Sequence, residues 1–265
     1  MTMVAETRTS EKAAGMEATA ASSAGTRGRI LTISTMGFTL LFAVWLMFGI
    51  LALPIRDELK LSETQFSWLT AIAILNGAVW RLAFGVWTDR VGGRRLMVGL
   101  LLGVAVPTFL VAFAQGYVAL IACAFLIGMA GNGFSIGIAW NSAWFSKKTQ
   151  GFALGVFGAG NVGASVTKLI GPTLIALVPV AGVSVLGLHL PGGWRMIPIM
   201  YGVLLVIMAA VTYFGTPAMD RTPGVGRPLK ERLAPLSNMR VWRFSLYYVV
   251  VFGAYVALSV WLPKY

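Results

Sequence analysis

The stretch from Gly158 to Pro172 reads GAGNVGASVTKLIGP and lies inside an apolar run from Phe152 to Val180. This run is long enough to cross a hydrocarbon layer of about 30 Å as a helix. On such a helix Asn161, Ser165 and Lys168 stand at i, i+4 and i+7, so they share one face. Because a polar and charged face is costly against lipid, we predict that it contacts another helix or a water-filled path.

The composition assigns the whole chain to the same class of protein. Of 265 residues, 57% are hydrophobic and 11% are charged, and the mean hydropathy is +0.79. Soluble domains carry roughly 25% charged residues. We therefore predict an all-α polytopic membrane protein. The single cysteine, Cys123, can form no internal disulfide, so cysteine usage indicates nothing about the compartment.

Seven apolar runs follow a polar N-terminal segment, and each has about the length of a membrane-spanning helix. We call them spans 1 to 7 in chain order. They are Ile30–Leu53, Phe66–Trp87, Leu96–Ala114, Tyr117–Phe145, Phe152–Val180, Met196–Phe214 and Phe244–Leu262.

The composition between these runs predicts four regions. Residues 1–29, rich in Ala, Ser, Thr and Glu, are typical of a disordered tail and are too polar for a signal peptide. Residues 30–215 form a predicted six-helix bundle. Residues 216–242 are basic and rich in proline, which is typical of a linker. Residues 243–265 hold the seventh helix, which we expect to begin a second half.

The placement of charge predicts the orientation. The formal net charge is +12, and thirteen Lys and Arg residues fall on one side of the membrane if the loops alternate, against four on the other. The positive-inside rule then places the N-terminus, the tail and the linker in the cytoplasm and the protein in the inner (plasma) membrane. The basic excess is thus a topology signal and a contact with anionic lipids of the bilayer, and we predict no nucleic-acid partner.

Two basic residues, Arg81 in span 2 and Lys168 in span 5, fall within the membrane. A charge near the bilayer centre costs roughly 2.5–3.5 kcal/mol, and no Asp or Glu occurs between Asp89 and Asp220 to offset it. The site that they face is therefore net positive, and its expected counter-ion is a small substrate anion. Two alternatives remain: Arg81 can extend toward the headgroups, and Lys168 can bind backbone carbonyls of a neighbouring helix.

Spans 4 and 5 each contain the tripeptide Ala-Gly-Asn, at residues 130–132 and 159–161. Close helix packing accounts for the glycines but not for Asn132 and Asn161. An asparagine both donates and accepts hydrogen bonds, so we predict that both contribute to the site.

Aromatic residues form one stripe on span 1 and another on span 7. Such stripes either pack against neighbouring helices or enclose a flat anion between their rings. They are Phe38, Phe42 and Trp45 on span 1, and Tyr248, Phe252 and Tyr255 on span 7.

The sequence argues against an enzyme and predicts no cofactor and no metal. Residues Gly158–Gly163 match the dinucleotide pattern G-x-G-x-x-G, which requires a preceding strand and an acidic residue about twenty positions later. Here an apolar helical run precedes it and no such acid follows. His189 is the only histidine, so no histidine cluster is available for a metal.

The segment from Gly85 to Arg95, GVWTDRVGGRR, resembles the loop signature between helices 2 and 3 of the major facilitator superfamily. Together with Arg81, residues Gly158–Gly163 and the preceding segment Lys147–Gly155 resemble the nitrate/nitrite porter family of that superfamily. The resemblance covers residues 30–265. It implies transport of nitrate, nitrite or both by alternating access, either as proton symport or as nitrate/nitrite exchange.

The resemblance also implies roles for single residues. Arg81 corresponds to the arginine that binds the anion, and Asn161 to the signature asparagine near it. Phe134 resembles the aromatic residue on one side of the substrate, and Tyr248 with Phe252 resemble the pair on the other side. Lys168 departs from members that have a neutral residue there and resembles the proton-coupled subgroup. The signature loop implies gating contacts by Gly85, Asp89, Arg90, Arg94 and Arg95.

The chain departs from this family in length. The family fold has twelve helices in two halves with the substrate between them, whereas seven spans are present here. We therefore expect a partial transporter whose C-terminal half is missing or separately encoded, whether the chain is a fragment, one piece of a split protein or a degenerate product. The alternatives are a porter of another small anion, such as formate or a sulfonate, and a membrane module that does not transport.

Overall fold

The structure is a computed structural model that describes residues 2–177, 179, 182–185 and 188–261. It consists almost entirely of helices, which satisfy every backbone hydrogen bond within one segment, as lipid requires. The helices are α1 (Thr2–Trp45), α2 (Phe48–Leu59), α3 (Glu63–Val79), α4 (Arg81–Val91), α5 (Gly93–Phe113), α6 (Tyr117–Ile127), α7 (Gly133–Trp144), α8 (Lys147–Gly158), α9 (Val162–Leu177), α10 (Met196–Gly215), α11 (Leu229–Leu233) and α12 (Met239–Trp261).

The predicted spans are confirmed among the described residues. Six helical segments are long and apolar enough to cross a membrane, and α3 with α4 forms a seventh span that is bent by 45°. Short 3₁₀ turns join α6 to α7 within span 4 and α8 to α9 within span 5. The predicted all-α class of fold is therefore confirmed. One small departure is an antiparallel hairpin of β1 (Val183–Val185) and β2 (Leu188–Leu190) between spans 5 and 6.

Several boundaries differ from the predicted ones. Helix α1 begins at Thr2, so the segment predicted as a disordered tail has helical backbone, consistent with its many strong helix formers such as Ala, Glu and Lys. Span 1 breaks after Trp45, one to two turns before Pro54, and resumes as α2. Span 5 ends at Leu177, and its predicted end at Val180 lies outside the described residues, as does Leu262 of span 7.

The linker also contains helical structure that the prolines did not predict. Helix α11 and a 3₁₀ turn at Ala234–Ser237 occupy its middle, and α12 begins at Met239, inside the range assigned to the linker. We call the side of the bundle that carries this linker and the loop of residues 85–95 the linker face. The opposite side, with the β-hairpin, is the hairpin face.

Span 1 lies at the centre of the bundle and span 7 at its edge. Helix α1 contacts α5, α7, α8, α9 and α10, whereas α12 contacts mainly α2 and the 3₁₀ turn before it. In the apolar window of span 1, 72% of the residues are buried, against 6% in span 7. The core is therefore built around span 1, and span 7 presents most of its surface outward.

Candidate functional site

Arg81 lies at the bend of span 2, where α3 ends at Val79 and α4 begins. Its guanidinium carbon lies 5.5 Å from the ring centroid of Trp45, 5.7 Å from that of Phe134 and 5.6 Å from that of Phe252. All three distances fall within the range of cation–π attraction. The guanidinium is therefore enclosed by rings from spans 1, 4 and 7, which we call the aromatic cage.

Tyr248 completes the cage. Its hydroxyl interacts with the Arg81 guanidinium, and its ring stacks on Phe252 at 5.0 Å and on Phe134 at 6.1 Å between centroids. The structure thus brings together four residues that the sequence selected separately on spans 2, 4 and 7.

The two predicted aromatic stripes face one another across the cage. The Phe42 ring lies 6.2 Å from that of Phe252 and 6.4 Å from that of Tyr255. Phe38 and Phe42 are each 1% exposed, so on span 1 these two rings serve packing. Tyr248, by contrast, is exposed on its outer side. Packing therefore accounts for these two rings of the span 1 stripe, whereas Tyr248 of the span 7 stripe is accessible for recognition.

Trp45 is fixed in the cage by a hydrogen bond and by two glycines. Its indole N–H donates to the carbonyl oxygen of Ala73 at 2.9 Å. A Cβ on Gly77 would lie 2.7 Å from the indole nitrogen, and one on Gly131 would lie 2.9 Å from the indole ring. Since such distances are too short for any Cβ, both glycines are needed to seat this ring beside Arg81.

The two Ala-Gly-Asn tripeptides form the same local structure. Each ends a 3₁₀ turn, and its asparagine Nδ2 donates to the carbonyl oxygen three residues earlier, Met129 or Gly158, at 2.9 Å. Oδ1 of both Asn132 and Asn161 is buried and has no hydrogen-bond partner among the described residues. Each tripeptide therefore offers an unfilled acceptor and one remaining amide N–H inside the bundle.

The two asparagines lie differently with respect to the cage. Asn161 is close to it, because the Tyr255 hydroxyl lies 3.4 Å from the Asn161 carbonyl oxygen. Asn132 is fully buried and has no contact with Arg81 among the interactions that the structure describes.

Lys168 is not part of the cage. It is half-buried, and within the described part of the chain it makes no hydrogen bond or ion pair. The buried side of α9 carries Gly163, Thr167 and Gly171 instead, and Ser165 is exposed. Of the face that we predicted to contact another helix or a water-filled path, Ser165 is thus exposed and Lys168 is half-buried.

The signature loop turns on two glycines. Gly92 has φ +93°, which other residues rarely adopt, and a Cβ on Gly93 would overlap the ring of Trp140. This turn directs the Arg94 backbone N–H to Asp220 Oδ2 at 2.8 Å, while Asp220 Oδ1 accepts from the indole N–H groups of Trp140 at 3.0 Å and Trp144 at 2.8 Å. The carboxylate thereby joins the loop, span 4 and the start of the linker.

The other loop residues divide into those that contact α10 or the linker and those that are exposed charges. The Arg94 side chain donates to the Tyr213 carbonyl oxygen at 2.7 Å. The Asp89 carboxylate lies 3.4 Å from Nη2 of Arg232 on α11. Arg90 and Arg95 are exposed, and Gly85 lines a cavity beneath the linker.

That cavity has a volume of about 640 Å³ and lies between span 2, span 4 and the linker. Arg81 and Arg232 both line it, together with Ser135 and Ser142. Neither a binding role for Arg232 nor any role for Asp220 was predicted from the sequence. Asp220 carried one signal, as the first acid after more than a hundred residues without one; Arg232 carried none among so many basic linker residues.

Known proteins resemble this chain in sequence, and the matches show both its superfamily and the share of its relatives' length that it covers. A model of the Major Facilitator Superfamily matches residues 33–265. The probable nitrate/nitrite antiporter NarK1 of Thermus thermophilus is 62% identical over 90% of this chain and 54% of its own length. The nitrite extrusion protein of Bacillus subtilis is 28% identical over 89% of this chain and 56% of its own length. The chain thus spans about half the length of the curated relatives that it matches.

A solved structure has the same fold. A bacterial homologue of the human lysosomal transporter Spinster, in an inward-facing and unoccupied conformation, superposes with a TM-score of 0.71 at 19% identity. The superposition covers 90% of this chain and 55% of that one. At this level of identity the similarity concerns the fold alone.

Proposed function

Because the chain belongs to the Major Facilitator Superfamily, we propose that it takes part in transport of nitrate, nitrite or both across a membrane, with Arg81 binding the anion. The observation that carries the proposal is a cation within span 2 that contacts aromatic rings and pairs with no carboxylate in the described part of the chain. The names of the relatives, a nitrate/nitrite antiporter and a nitrite extrusion protein, support the choice of anion.

The aromatic cage suits a small planar oxyanion. Arginine is permanently charged and presents N–H donors in a planar fork, which matches two oxygens of such an anion. The rings of Trp45, Phe134 and Phe252 cover part of the guanidinium and lower the dielectric constant on that side. Since a charge interaction strengthens as the dielectric constant falls, the bound anion gains more here than it would in a solvated loop.

The second wall of the site comes from span 7, whose residues Tyr248 and Phe252 close over Arg81. In transporters of this superfamily the site lies between two halves that move relative to each other. Span 7 is mostly exposed, and it offers a surface for further helices of a C-terminal half. Asn161 supplies polar atoms near the cage; Asn132, which is fully buried, and Lys168, which is half-buried, would contribute polar groups away from Arg81.

Exchange and proton symport place different demands on this chain. No Asp or Glu occurs within the seven predicted spans, so no carboxylate there relays protons. Exchange of nitrate for nitrite needs no such relay, whereas symport requires the proton to travel with water, with the substrate or through other residues. Dissipating the proton gradient in vesicles preloaded with nitrite separates the two, since only symport would then lose uptake.

The distribution of charge supports an orientation with the linker face in the cytoplasm and a location in the plasma membrane. Protease or thiol-labelling access to the linker in oriented vesicles tests this part of the proposal.

The decisive experiment is the substitution Arg81→Lys in the protein as its gene encodes it, reconstituted in nanodiscs. Lysine keeps the charge but loses the planar fork. We expect nitrate affinity, measured by equilibrium dialysis with ¹⁵N-nitrate, to fall by roughly tenfold to a hundredfold, equivalent to about 1.4–2.8 kcal/mol. Unchanged affinity would remove Arg81 from the site.

The matched control is Arg227→Lys, the same change at an exposed arginine of the linker; we expect it to leave nitrate affinity unchanged. Competition by nitrite, formate and methanesulfonate then defines the anion. If formate or methanesulfonate displaces nitrate as well as nitrite does, the chain serves another class of small anion.

A further inference from the structure

The cavity beneath the linker brings two arginines to one enclosed space. Arg81 lines it from span 2 and Arg232 lines it from α11. Span 4 contributes the hydroxyl side chains of Ser135 and Ser142. Asp89 is the single acid in the lining, so two positive charges face one negative charge. The lining is therefore net positive by one charge.

Arg232 is buried there with an incomplete set of partners. Its side chain is 5% exposed, and its Nη2 donates to the Val86 carbonyl oxygen and lies 3.4 Å from Asp89 Oδ2. That distance is long for a hydrogen bond between opposite charges, which is commonly about 2.7–2.9 Å. Nε and Nη1 are buried and have no partner among the described residues. A buried cation with two unfilled donor nitrogens is costly unless an acceptor reaches it.

We propose that Arg232 and the serine hydroxyls form a second anion-binding site, the vestibule site, next to the aromatic cage. Its ligand is a small oxyanion of the size of nitrate, whose oxygens accept from Nη1 and from the serine hydroxyls. As far as that anion is the transported one, the proposal rests on the proposed function. The vestibule site then holds an anion on the linker side of Arg81.

A purely structural role is the competing explanation: the Arg232–Asp89 pair would hold α11 against span 2. The two explanations predict different results for the two partners of the pair. If the pair is only a clamp, removing either charge has the same effect. If Arg232 binds an anion, the Asp89 carboxylate competes with that anion, so Asp89→Asn strengthens anion binding while Arg232→Gln abolishes it.

The test measures ¹⁵N-nitrate binding by equilibrium dialysis in nanodiscs, in a background of Arg81→Lys that weakens the cage. We expect residual binding of one nitrate in the millimolar range. Adding Arg232→Gln should weaken it by roughly tenfold or more, adding Asp89→Asn should strengthen it about threefold because a neighbouring negative charge is removed, and adding Arg227→Gln should leave it unchanged.

Three results would overturn the vestibule site. The first is the absence of residual binding in Arg81→Lys when the wild-type protein binds nitrate; the proposed function then stands without a second site. The second is weakening by both Arg232→Gln and Asp89→Asn, which identifies a clamp. The third is equal loss with Arg227→Gln, which identifies a general effect of linker charge. If Arg81→Lys changes nothing while Arg232→Gln abolishes binding, the vestibule site stands and the role of Arg81 falls.

A further variant separates binding from folding. Arg232→Lys keeps the charge opposite Asp89 but lacks the second and third guanidinium nitrogens. We expect it to retain the thermal stability of the wild type and to lose most of the residual nitrate binding. Full nitrate binding by Arg232→Lys would contradict the assignment of Nη1.

Discussion

Asp220 at the linker face and Arg81 within span 2 are partnered in opposite ways. At the linker face, the Asp220 carboxylate accepts N–H groups from Arg94, Trp140, Trp144 and Arg221. In the middle of span 2, Arg81 is held by rings, and its buried Nε has no partner among the described residues. Contacts that fix a fold are completed within the chain, whereas a site for a ligand leaves polar atoms unfilled.

The same difference separates packing from polar contacts where spans 1 and 5 meet. The two spans approach closely at one point, because a Cβ on Gly163 would overlap the carbonyl oxygen of Thr39 on span 1. Oδ1 of Asn161, two residues earlier on span 5, has no partner among the described residues. The contact of spans 1 and 5 is therefore close in its packing and open in its hydrogen bonding.

Gly163→Ala tests the close packing of spans 1 and 5 and should have the largest effect on stability. The new methyl group meets backbone rather than a flexible side chain, so spans 1 and 5 must separate. We expect a loss of about 3 kcal/mol in the free energy of unfolding, at the upper end of the cost of overpacking, measured by SDS titration in mixed micelles. Gly158→Ala in the same span is the control: a Cβ there meets nothing within 4 Å, so stability should stay constant or rise. Equal losses would mean that the close approach of spans 1 and 5 is not structurally important.

Asp220→Ala tests the completed contacts of the linker face. It leaves two indole N–H groups and the Arg94 backbone N–H without their acceptor, and each loss is partly made good by water because Asp220 is only partly buried. We expect a loss of about 2–3 kcal/mol in the same measurement. Nitrate affinity should stay within about twofold of the wild type, because no atom of the cage contacts Asp220. A large change in affinity with little loss of stability would reverse the assignment of the two regions.

Arg81→Leu tests whether Arg81, whose polar atoms are incompletely partnered, contributes to the stability of the fold. Removing a charge from mid-span regains part of its insertion cost of roughly 2.5–3.5 kcal/mol, less the lost attraction to three rings of about 0.5–2 kcal/mol each. The three ring contacts together amount to about 1.5–6 kcal/mol, which is comparable to the regained cost, so we expect the free energy of unfolding to stay within about 2 kcal/mol of the wild type while nitrate binding at the cage is lost. Clear destabilisation would show that Arg81 serves the fold, and the contrast between the two regions would then fail.

The features that could be predicted from the sequence are those that depend on a single helix. The spacing of Phe38, Phe42 and Trp45 and of Tyr248, Phe252 and Tyr255 placed each stripe on one face, and the apolar runs gave all seven spans. Arg81 stood out because charge is rare within such runs. These signals are local, since helical periodicity needs only neighbouring residues.

Contacts between distant segments were not predictable in this way. The Asp220 bond to Arg94 joins residues 126 positions apart, and that of Arg232 to Asp89 joins residues 143 positions apart. Both depend on how the linker folds back over span 2, and the linker residues carry no periodic signal. The polar face of Ser165 and Lys168 shows the reverse limitation: periodicity gave the face, but only packing decides what lies opposite it.

The Glu58 carboxylate at the hairpin face provides the test with the smallest expected effect on stability. Glu58 Oε1 lies 2.6 Å from Arg195 Nη1, and Oε2 accepts from the Trp194 indole at 2.7 Å. Burial of Glu58 raises its pKa, but hydrogen bonds from Arg195 and Trp194 and the charge of Arg195 outweigh burial and lower the pKa below its ordinary value of 4.5. This pair therefore resembles the completed contacts of the linker face.

A lowered pKa in the folded state means that ionised Glu58 stabilises the fold. The contribution is fully present above the pKa of the unfolded chain and disappears as the pH falls through the lower pKa of the folded state. Because the Glu58 side chain is 42% exposed, solvent screens the pair, and we expect Glu58→Gln to cost less than about 1 kcal/mol at pH 7. The difference in stability between Glu58→Gln and the wild type should shrink as the pH falls below 4.5 and vanish below the pKa of the folded state, whereas Asp57→Asn at the exposed neighbouring position should leave stability close to that of the wild type at pH 7. A difference that persists in acid would mean that the side chain stabilises by shape rather than charge, and that completed charge contacts are confined to the linker face.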